Sequence, residues 1–253
     1  MTIVSYGTDE RVAVCRELLE RYLAAVPDAL SEYERVLLLP IPSSRDGIHI
    51  TGSDIPLTDA GAPRTLCVGC DIPREAAVTL SGEGSAVLDV ARDPAFLLEN
   101  ARITALGTLG YLLTGERRVP YDLTVGVVGY GRIGRELIRE LLFLGATVRV
   151  YTTKETTRHA LGRAGIDSQR IGEGCQPDFT GLDILINTAP APGLIPGGEA
   201  LHGVRVLELA SGENLPASLP AERLPSLPAR MYPVSAGRAY FRSLLRMTGG
   251  MES

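Results

Sequence analysis

Three glycines spaced as G-x-G-x-x-G form the strongest chemical signal in the sequence. Gly129, Gly131 and Gly134 follow the apolar run TVGVV and precede an amphipathic segment, so they mark a turn from a buried strand into a helix. The first glycine permits the tight turn, the second lets the main chain approach a pyrophosphate, and the third allows close helix packing. The amides of Arg132 and Ile133 then face the phosphates at the positive end of the helix dipole. The motif predicts a dinucleotide-binding site.

The end of the next strand indicates which dinucleotide is bound. An acid that would bind a ribose 2′-hydroxyl belongs near Thr152, but the chain has Thr152, Thr153 and Lys154 there. Hydroxyl donors and a positive charge suit a 2′-phosphate, and Arg158, one helical turn further on, would add a second charge. The pattern therefore favours NADP. NAD is the alternative if Lys154 and Arg158 form a solvated face beside Glu155.

These residues belong to an alternation of strands and helices along the whole chain. An apolar run predicts each strand, and one-sided apolar spacing predicts each helix. The predicted strands are 2–7, 35–42, 64–70, 85–90, 124–129, 146–151, 182–187 and 203–209. The predicted helices are 9–26, 94–115, 132–144, about 155–164 and 237–247. The 94–115 helix has Asp93 as its N-cap, Pro94 in its first turn and Gly115 as its stop.

The predicted fold class is α/β, with two Rossmann-like domains of mainly parallel sheets joined by a long linker helix. Both halves open with a strand, a turn and a helix, but the first turn, YGTDERV, has one glycine and two acids that would repel phosphate. The second half is therefore the predicted dinucleotide-binding half. The predicted domains are an N-terminal substrate-side domain (1–93), the linker helix (94–115), the Rossmann domain (116–236), and a C-terminal helix with its tail (237–253). The proline-rich region 212–228 is predicted to be an extended connection.

The composition excludes several classes of partner. The net charge is −5 and the basic residues are scattered, so neither nucleic acid nor a membrane surface is an expected partner. The longest nearly uncharged helical segment, 103–113, is too short to span a bilayer, and the N-terminus has no signal-like stretch, so a cytoplasmic location is expected. Cys67 and Cys70 form a C-x-x-C without a second pair, so two buried thiols are expected and no metal site.

The order of motifs from Asn100 onward resembles that of a known family. NARITALG, VGVVGYGRIGREL, LDILINTAP and LELASG follow one another as in the A chain of dipicolinate synthase, within the superfamily of D-2-hydroxyacid dehydrogenases and adenosylhomocysteinase-like proteins. YGTDER and LLLPIPSSRDG are weaker matches in the first half. The resemblance implies NADP-linked oxidation of dihydrodipicolinate to dipicolinate in the cleft of a two-domain protein of sporulation. It also implies a flavoprotein-like B subunit as partner, and a homo-oligomer is expected.

The resemblance and the residue chemistry together give a predicted site, in which the catalytic residues stay unassigned. The resemblance implies the site residues on the linker helix and in the loop after the fourth strand of the second half. Arg238 and the residues of the opposing loop are chosen because arginine suits bidentate capture of a carboxylate. The predicted substrate-binding residues are Ser43, Ser44, Arg45, Asn100, Thr104, Ser211 and Arg238. The residues predicted to border the nicotinamide are Asn187, Thr188, Ala189 and Pro190.

Departures from the family pattern leave two alternatives open. Leu106 stands where the family has an acid, GENLP and PVSAGRAYFR replace substrate-side segments, and the chain is expected to end some tens of residues before the family's C-terminus. The alternatives are a non-catalytic NAD(P)-binding subunit and a related oxidoreductase acting on another imine or small carboxylate. A hydroxyacid dehydrogenase is disfavoured, because Val234 stands where its histidine base belongs, and His49, His159 and His202 are interpreted as ordinary surface or loop residues.

Overall fold

The structure, a computed structural model, describes residues 1–250. They form two compact units, one comprising Met1–Asn100 with the segment from Pro228 onward, the other Ala101–Leu227. Contacts thus assign the C-terminal segment to the first unit, whereas the predicted domains divide the chain at the ends of the linker helix. Those predicted boundaries stay a prediction.

The first unit is built on a four-stranded parallel sheet with the strand order β1-β2-β3-β4. Its core contains apolar side chains from the strands, from the segments that follow them and from helix α2, among them Leu37, Leu39, Ile50, Leu57 and Leu80. The strands are β1 (Thr2–Ser5), β2 (Arg35–Leu38), β3 (Thr65–Gly69) and β4 (Ala86–Asp89). The helices are α1 (Glu10–Ala25), α2 (Arg74–Gly82), the start of α3 (Pro94–Gly115), and α7 (Pro233–Met247).

The second unit has a six-stranded parallel sheet with the order β10-β9-β8-β5-β6-β7. If β5 is counted as strand 1 and the others follow in chain order, the sheet read from β7 to β10 has the order 3-2-1-4-5-6. This is the strand order of a dinucleotide-binding Rossmann sheet. The α/β fold class with two Rossmann-like parallel sheets is therefore confirmed. The strands are β5 (Thr124–Val128), β6 (Thr147–Thr152), β7 (Asp167–Arg170), β8 (Ile184–Asn187), β9 (Arg205–Glu208) and β10 (Glu222–Arg223). The helices are the rest of α3, α4 (Arg132–Phe143), α5 (Glu155–Arg163) and the first residue of α6 (Leu227–Met231), whose other residues belong to the first unit.

The long helix α3 runs from the first unit into the second, and its bounds are those predicted. Asp93 caps it, because its Oδ1 accepts a hydrogen bond of 2.9 Å from the amide of Ala95. Asp93 also pairs with Arg246 of α7, with Oδ2 and Nη2 2.6 Å apart. One buried carboxylate thus fixes both the start of α3 and the end of α7.

Helix α7 packs on α1, as a close approach at Gly237 shows. A Cβ at Gly237 would lie 2.6 Å from the carbonyl oxygen of Arg11 and from Cβ of Val14, so only glycine allows this crossing. The helix begins at Pro233, four residues before the predicted start at 237. The difference has a simple cause, because Pro233 occupies the first turn, where its missing N–H costs nothing.

The proline-rich region 212–228 contains no regular helix of its own, as predicted, but it is a series of bends and turns rather than an extended segment, with the short edge strand β10 and the first residues of α6. Neither α2 nor β7 was predicted. Within residues 1–250, no helix has both the length and the apolar character needed to cross a membrane.

Candidate cofactor-binding site

The glycine motif lies where the strand order of the second sheet reverses. β5 pairs with β6 on one side and with β8 on the other, so the chain leaves β5 in one direction and later returns on its opposite side. In open parallel sheets, ligands bind outside the carboxyl ends of the strands at such a switch point. Gly129 follows β5 and Thr188 follows β8, so both loops border this point.

Packing requires the first and third glycines. Gly129 has a φ of +96°, which side chains disfavour, and a Cβ there would lie 2.8 Å from Oγ1 of Thr188 and 3.2 Å from Cβ of Ala189. Gly134, in the first turn of α4, is buried, and a Cβ on it would overlap the carbonyl oxygen of Gly129. The strand, turn and helix can approach this closely only because both side chains are absent.

The middle glycine faces open space. Gly131 has an ordinary φ of −79°, and among the described atoms none lies within 4 Å of a Cβ built on it. Neither packing nor backbone conformation therefore requires a glycine here. Gly131 is the N-cap residue of α4, and the amides of Arg132 and Ile133 follow it. The open space leads to the main chain at the positive end of a twelve-residue helix, a position suited to an anion.

Thr188 braces the glycine turn from the β8 side. Its amide and its hydroxyl both donate to the carbonyl oxygen of Val128, at 2.9 Å and 2.8 Å. The last residue of β5 is thereby tied to the loop after β8. These two hydrogen bonds to one carbonyl fix the two walls of the switch point relative to each other.

A buried polar pair shapes the loop next to Thr188. Asn187 and Glu208, each no more than 2% exposed, end β8 and β9 side by side, and Nδ2 of Asn187 lies 3.0 Å and 3.1 Å from the two carboxylate oxygens. The Asn187 side chain also accepts from the amide of Ala189 at 3.1 Å and donates to its carbonyl at 3.2 Å. Glu208 in turn accepts from the amide of Ala210 at 2.8 Å. Burial raises the pKa of Glu208, although the bonds from Asn187 and Ala210 oppose the shift.

The carboxyl end of β6 carries the predicted 2′-phosphate residues. Thr152 is buried and its hydroxyl accepts from the amide of Lys154 at 3.3 Å. Lys154 is exposed, is the only lysine in the sequence, and has no recorded acidic partner among residues 1–250. Arg158 is instead paired with Glu155, with Nη1 2.7 Å from Oε2. Lys154 is therefore the better candidate for binding an anion here.

A cavity of about 260 Å³ joins these segments. It brings together the glycine turn, the end of β6 and the loop after β8, three stretches that the sequence predicted for the cofactor. Predicted residues that line it are Gly129, Gly131, Thr152, Thr153, Lys154, Thr188, Ala189 and Pro190. Residues that line it without having been predicted are Tyr130, Tyr151, Thr157, Ile171 and Leu194.

Four predicted cofactor residues adjoin these segments in the chain rather than lining the cavity, namely Arg132, Ile133, Gly134 and Asn187. The role of Asn187 is visible in its bonds, since its side chain holds the Ala189 main chain that lines the cavity. The sequence reasoning missed Glu208, and a signal for it existed. An acid within the apolar run VRVLELA is a buried charge that needs a partner.

The unpredicted apolar residues give the cavity a hydrophobic wall. Tyr151 is fully buried, its ring lies 4.8 Å from that of Phe179, and its hydroxyl donates to the carbonyl of Asp178 at 2.6 Å. Ile171 and Leu194 come from the loops after β7 and β8. Such a wall suits a flat heteroaromatic ring.

The predicted substrate-side residues are spread over both units. In the first unit, Ser43 is fully buried and its Oγ accepts from the amide of Cys70 at 2.8 Å, which secures the loop. Ser44 donates to Asp46 at 3.1 Å, and Arg45 and Arg238 lie on the surface. Asn100 is half-buried at the end of the first unit's share of α3.

In the second unit, Thr104 is buried in α3, and its carbonyl accepts from the hydroxyl of Thr108 at 2.9 Å. Ser211 is exposed after β9, and its carbonyl accepts from Asn214 at 3.0 Å. The structure shows where each of these residues lies, and their substrate roles stay predictions.

The cysteines of the C-x-x-C motif are buried free thiols. Burial raises the pKa of Cys67, and it raises the pKa of Cys70 to about 12. Both thiols are therefore protonated at neutral pH and unreactive. This agrees with the predicted pair of buried thiols.

Comparison with known proteins gives structural matches only, since no family model and no curated sequence matches the chain. The A chain of dipicolinate synthase from Bacillus halodurans superposes with a TM-score of 0.73 at 17% identity, covering 98% of this chain and 97% of that one. The A chain of dipicolinate synthase from Bacillus subtilis gives a TM-score of 0.73 at 16% identity, with 98% and 95% covered. A transhydrogenase from Sinorhizobium meliloti gives 0.61 at 15% identity, with 98% and 92% covered.

This coverage corrects one expectation, because the chain does not end some tens of residues short of either dipicolinate synthase structure. At such low identity the likeness concerns the fold. The chain has the two-domain α/β fold of the dipicolinate synthase A chain, as the order of its motifs predicted.

Proposed function

We propose that the protein is an NADP-dependent oxidoreductase of the dipicolinate synthase type, which oxidises dihydrodipicolinate to dipicolinate. The observation that carries the proposal is the cavity at the switch point, where open main chain at Gly131 and the side chain of Lys154 border the same space. The fold shared with the A chain of dipicolinate synthase supports the choice of reaction.

The residues around the cavity suit a pyridine dinucleotide in three ways. The uncapped start of α4 at Gly131 suits the pyrophosphate, because free amides and the helix dipole both favour an anion. The wall formed by Ile171 and Leu194 suits the adenine ring. Thr188 and Ala189, braced by bonds to Val128 and Asn187, suit the nicotinamide half. The bound nicotinamide would supply the hydride acceptor.

The choice of NADP over NAD depends on Lys154. An acid at this position would repel a 2′-phosphate, whereas a lysine attracts it, and Thr153 and Thr157, which carry hydroxyl groups, line the same cavity. Arg158 contributes less, since its guanidinium already binds Glu155. NAD is the alternative cofactor.

Aromatisation makes modest demands on the substrate side, because the loss of a hydride and a proton yields a stable pyridine and positioning supplies most of what remains. Arg238 and Arg45 are proposed to hold the two carboxylates, helped by Ser44. Within the first unit, contacts link the segment that carries Arg238 to the loop that carries Arg45. Gly237, beside Arg238, packs on the carbonyl of Arg11, and Nη2 of Arg11 donates to the carbonyl of Ile41 at 2.5 Å. A flavoprotein-like B subunit and self-association are part of the proposal.

The cofactor proposal is tested by the affinities for NADPH and NADH, measured by fluorescence on the wild type and on Lys154→Ala. We expect a loss for NADPH alone, of about 1 to 3 kcal/mol, the size of a hydrogen bond to a charged group. Arg163→Ala, which removes an exposed positive charge from α5, the helix that directly follows Lys154, is the matched control and should leave both affinities unchanged. An equal loss for both nucleotides would show that Lys154 does not recognise the 2′-phosphate.

Because Lys154 is the only lysine, reductive methylation with carbon-13 formaldehyde labels its Nζ and otherwise only the N-terminal amine. The Lys154 signal should move on addition of NADPH and stay in place with NADH. This gives direct evidence of contact that does not depend on a substitution.

The reaction is tested by supplying dihydrodipicolinate and NADP and following NADPH and dipicolinate by absorbance. Turnover, alone or with a B subunit, supports the proposal. NADPH binding without turnover on this or any cyclic dicarboxylate would instead identify a non-catalytic NAD(P)-binding subunit, the alternative favoured by the exposed Leu106 where the family has an acid.

A further inference from the structure

A histidine and an aspartate form a close pair in the loop that follows β2. Nδ1 of His49 lies 2.7 Å from Oδ2 of Asp46. The other oxygen of Asp46 accepts from the amides of Ile48 at 2.9 Å and His49 at 2.8 Å, and from the hydroxyl of Ser44 at 3.1 Å. Four donors therefore converge on one carboxylate.

This arrangement fixes the tautomer of the neutral imidazole. The hydrogen bonds from His49 and the amides hold the pKa of Asp46 well below its usual range, so its carboxylate is ionised and can only accept. Nδ1 of a neutral His49 must then carry the hydrogen, which leaves the lone pair on Nε2. The His49 side chain is 43% exposed, and no bond to Nε2 is recorded within residues 1–250. Nε2 is thus an available proton acceptor.

The loop holds this pair in a defined place. The amide of Thr51 donates to the carbonyl of Ser43 at 2.9 Å, the amide of Leu57 donates to the carbonyl of Ile48 at 2.8 Å, and His49 forms a β-bridge with Pro56. The loop starts at the carboxyl end of β2, the edge of a parallel sheet at which ligands bind. It also contains the residues proposed for substrate carboxylates, Ser44 and Arg45.

The pair differs from an ordinary surface ion pair. Asp46 already shapes its loop through main-chain amides, so the imidazole is not needed to hold the fold. His159 offers a contrast, since it pairs with Glu155 through Nε2 itself, one turn away on an exposed helix. Of these two histidines, His49 is the one in which an acid holds Nδ1 and leaves Nε2 for chemistry.

We propose that His49, oriented by Asp46, is the general base that removes a proton from the substrate, an inference that rests on the proposed function. Oxidation of a dihydropyridine removes two electrons as a hydride from one ring carbon and a proton from a neighbouring atom. Bound NADP⁺ would supply the hydride acceptor. The proton bonds to Nε2 of His49, and the electron pair that it leaves completes the aromatic ring. The imidazolium then gives its proton to water.

The test uses the full chain, and its first readout is independent of activity. The sequence has three histidines, so the proton spectrum has three C2–H imidazole signals, which His49→Gln and His202→Gln assign. Adding dipicolinate should move the His49 signal and leave that of His202 in place. A His49 signal that does not respond at saturating dipicolinate overturns the inference.

The second readout is kinetic. General-base catalysis contributes about 10²- to 10⁴-fold, so His49→Gln should lower kcat by about 100-fold or more while its affinity for NADPH and its melting temperature match the wild type. Asp46→Asn should lower kcat less, because the base remains but loses its orientation, and His202→Gln should turn over like the wild type. Full activity of His49→Gln overturns the inference while leaving the proposed function in place. If the wild type turns nothing over, the proposed function fails, and the His49 signal alone decides whether this residue contacts the dicarboxylate.

Discussion

Alanine substitutions in the glycine motif should separate packing from cofactor binding. At Gly134, a methyl group would overlap the carbonyl oxygen of Gly129, a main-chain atom that cannot rotate away. Overpacking of this kind costs up to about 3 kcal/mol. Alanine recovers up to about 1 kcal/mol of helix propensity. The expected net loss is about 2 kcal/mol, which lowers the melting temperature of a chain this long by about 4 to 8 °C.

At Gly131 the same substitution should spare the fold. Its φ and ψ of −79° and −165° suit alanine, and no described atom lies within 4 Å of the new methyl group. A stability change within about 0.5 kcal/mol is expected. The methyl group does, however, occupy the space through which a pyrophosphate would approach the main chain. NADPH affinity should therefore fall by about tenfold or more, which corresponds to at least about 1.4 kcal/mol.

The assay is thermal unfolding by circular dichroism together with NADPH titration by fluorescence, on both variants and on Gly162→Ala. Gly162 lies in α5 with no described atom near its missing Cβ, so alanine there should stabilise the helix by up to about 1 kcal/mol and leave NADPH affinity unchanged. The reasoning is refuted if Gly131→Ala binds NADPH like the wild type, or if Gly134→Ala melts no lower than Gly131→Ala.

Substitutions at two buried carboxylates, Glu208 and Asp93, give two further predictions. Glu208→Leu should lower the free energy of unfolding, measured with denaturant, by about 1 to 3 kcal/mol and should weaken NADPH binding, because the side-chain amide of Asn187 loses the carboxylate that accepts from it. Glu208→Gln keeps an acceptor oxygen, so its free energy of unfolding should stay within about 1 kcal/mol of the wild type. Burial opposes ionisation of Asp93, but bonds from Ser243 and Arg246 outweigh it and lower its pKa. The stabilisation by ionised Asp93 is therefore present above the ordinary carboxyl pKa of about 4 and is lost as the pH falls through the lower folded value. At pH 7, Asp93→Asn should lower the free energy of unfolding by about 1 kcal/mol, and this difference from the wild type should shrink in acid. A difference that stays constant with pH would contradict the assignment.

The cofactor side could be predicted because its signals are local in the chain. The positive φ of Gly129 and the overlap that a Cβ on Gly134 would make with the carbonyl oxygen of Gly129 both arise within one short turn, and the apolar runs on either side fix that turn between strand and helix. The end of β6 was predicted for the same reason, since Thr152 and Lys154 stand at the end of their strand and directly after it. A pattern of neighbouring residues specifies a feature that neighbouring residues build.

Features built by distant residues escaped the sequence. Glu208 and Asn187 are 21 positions apart, and they meet only because β8 and β9 are adjacent and parallel with ends in register. His49 and Asp46 are close in sequence, yet their spacing alone predicts only a surface contact. Only the structure shows that four donors converge on the Asp46 carboxylate and that main-chain hydrogen bonds from Thr51 and Leu57 hold this part of the loop in place.

The two strand–turn–helix segments that open the two halves of the chain explain why the dinucleotide site is predicted in the second half. At the start of α1, Asp9 accepts from the amide of Arg11 at 3.0 Å, pairs with the Arg11 guanidinium at 2.7 Å, and accepts from the amide of Ile41 at 3.2 Å. The first helix thus supplies its own anion. At the start of α4 the corresponding position is Gly131, which supplies none. Since both helix ends favour a negative charge, the end without a carboxylate is the one that has a place for phosphate.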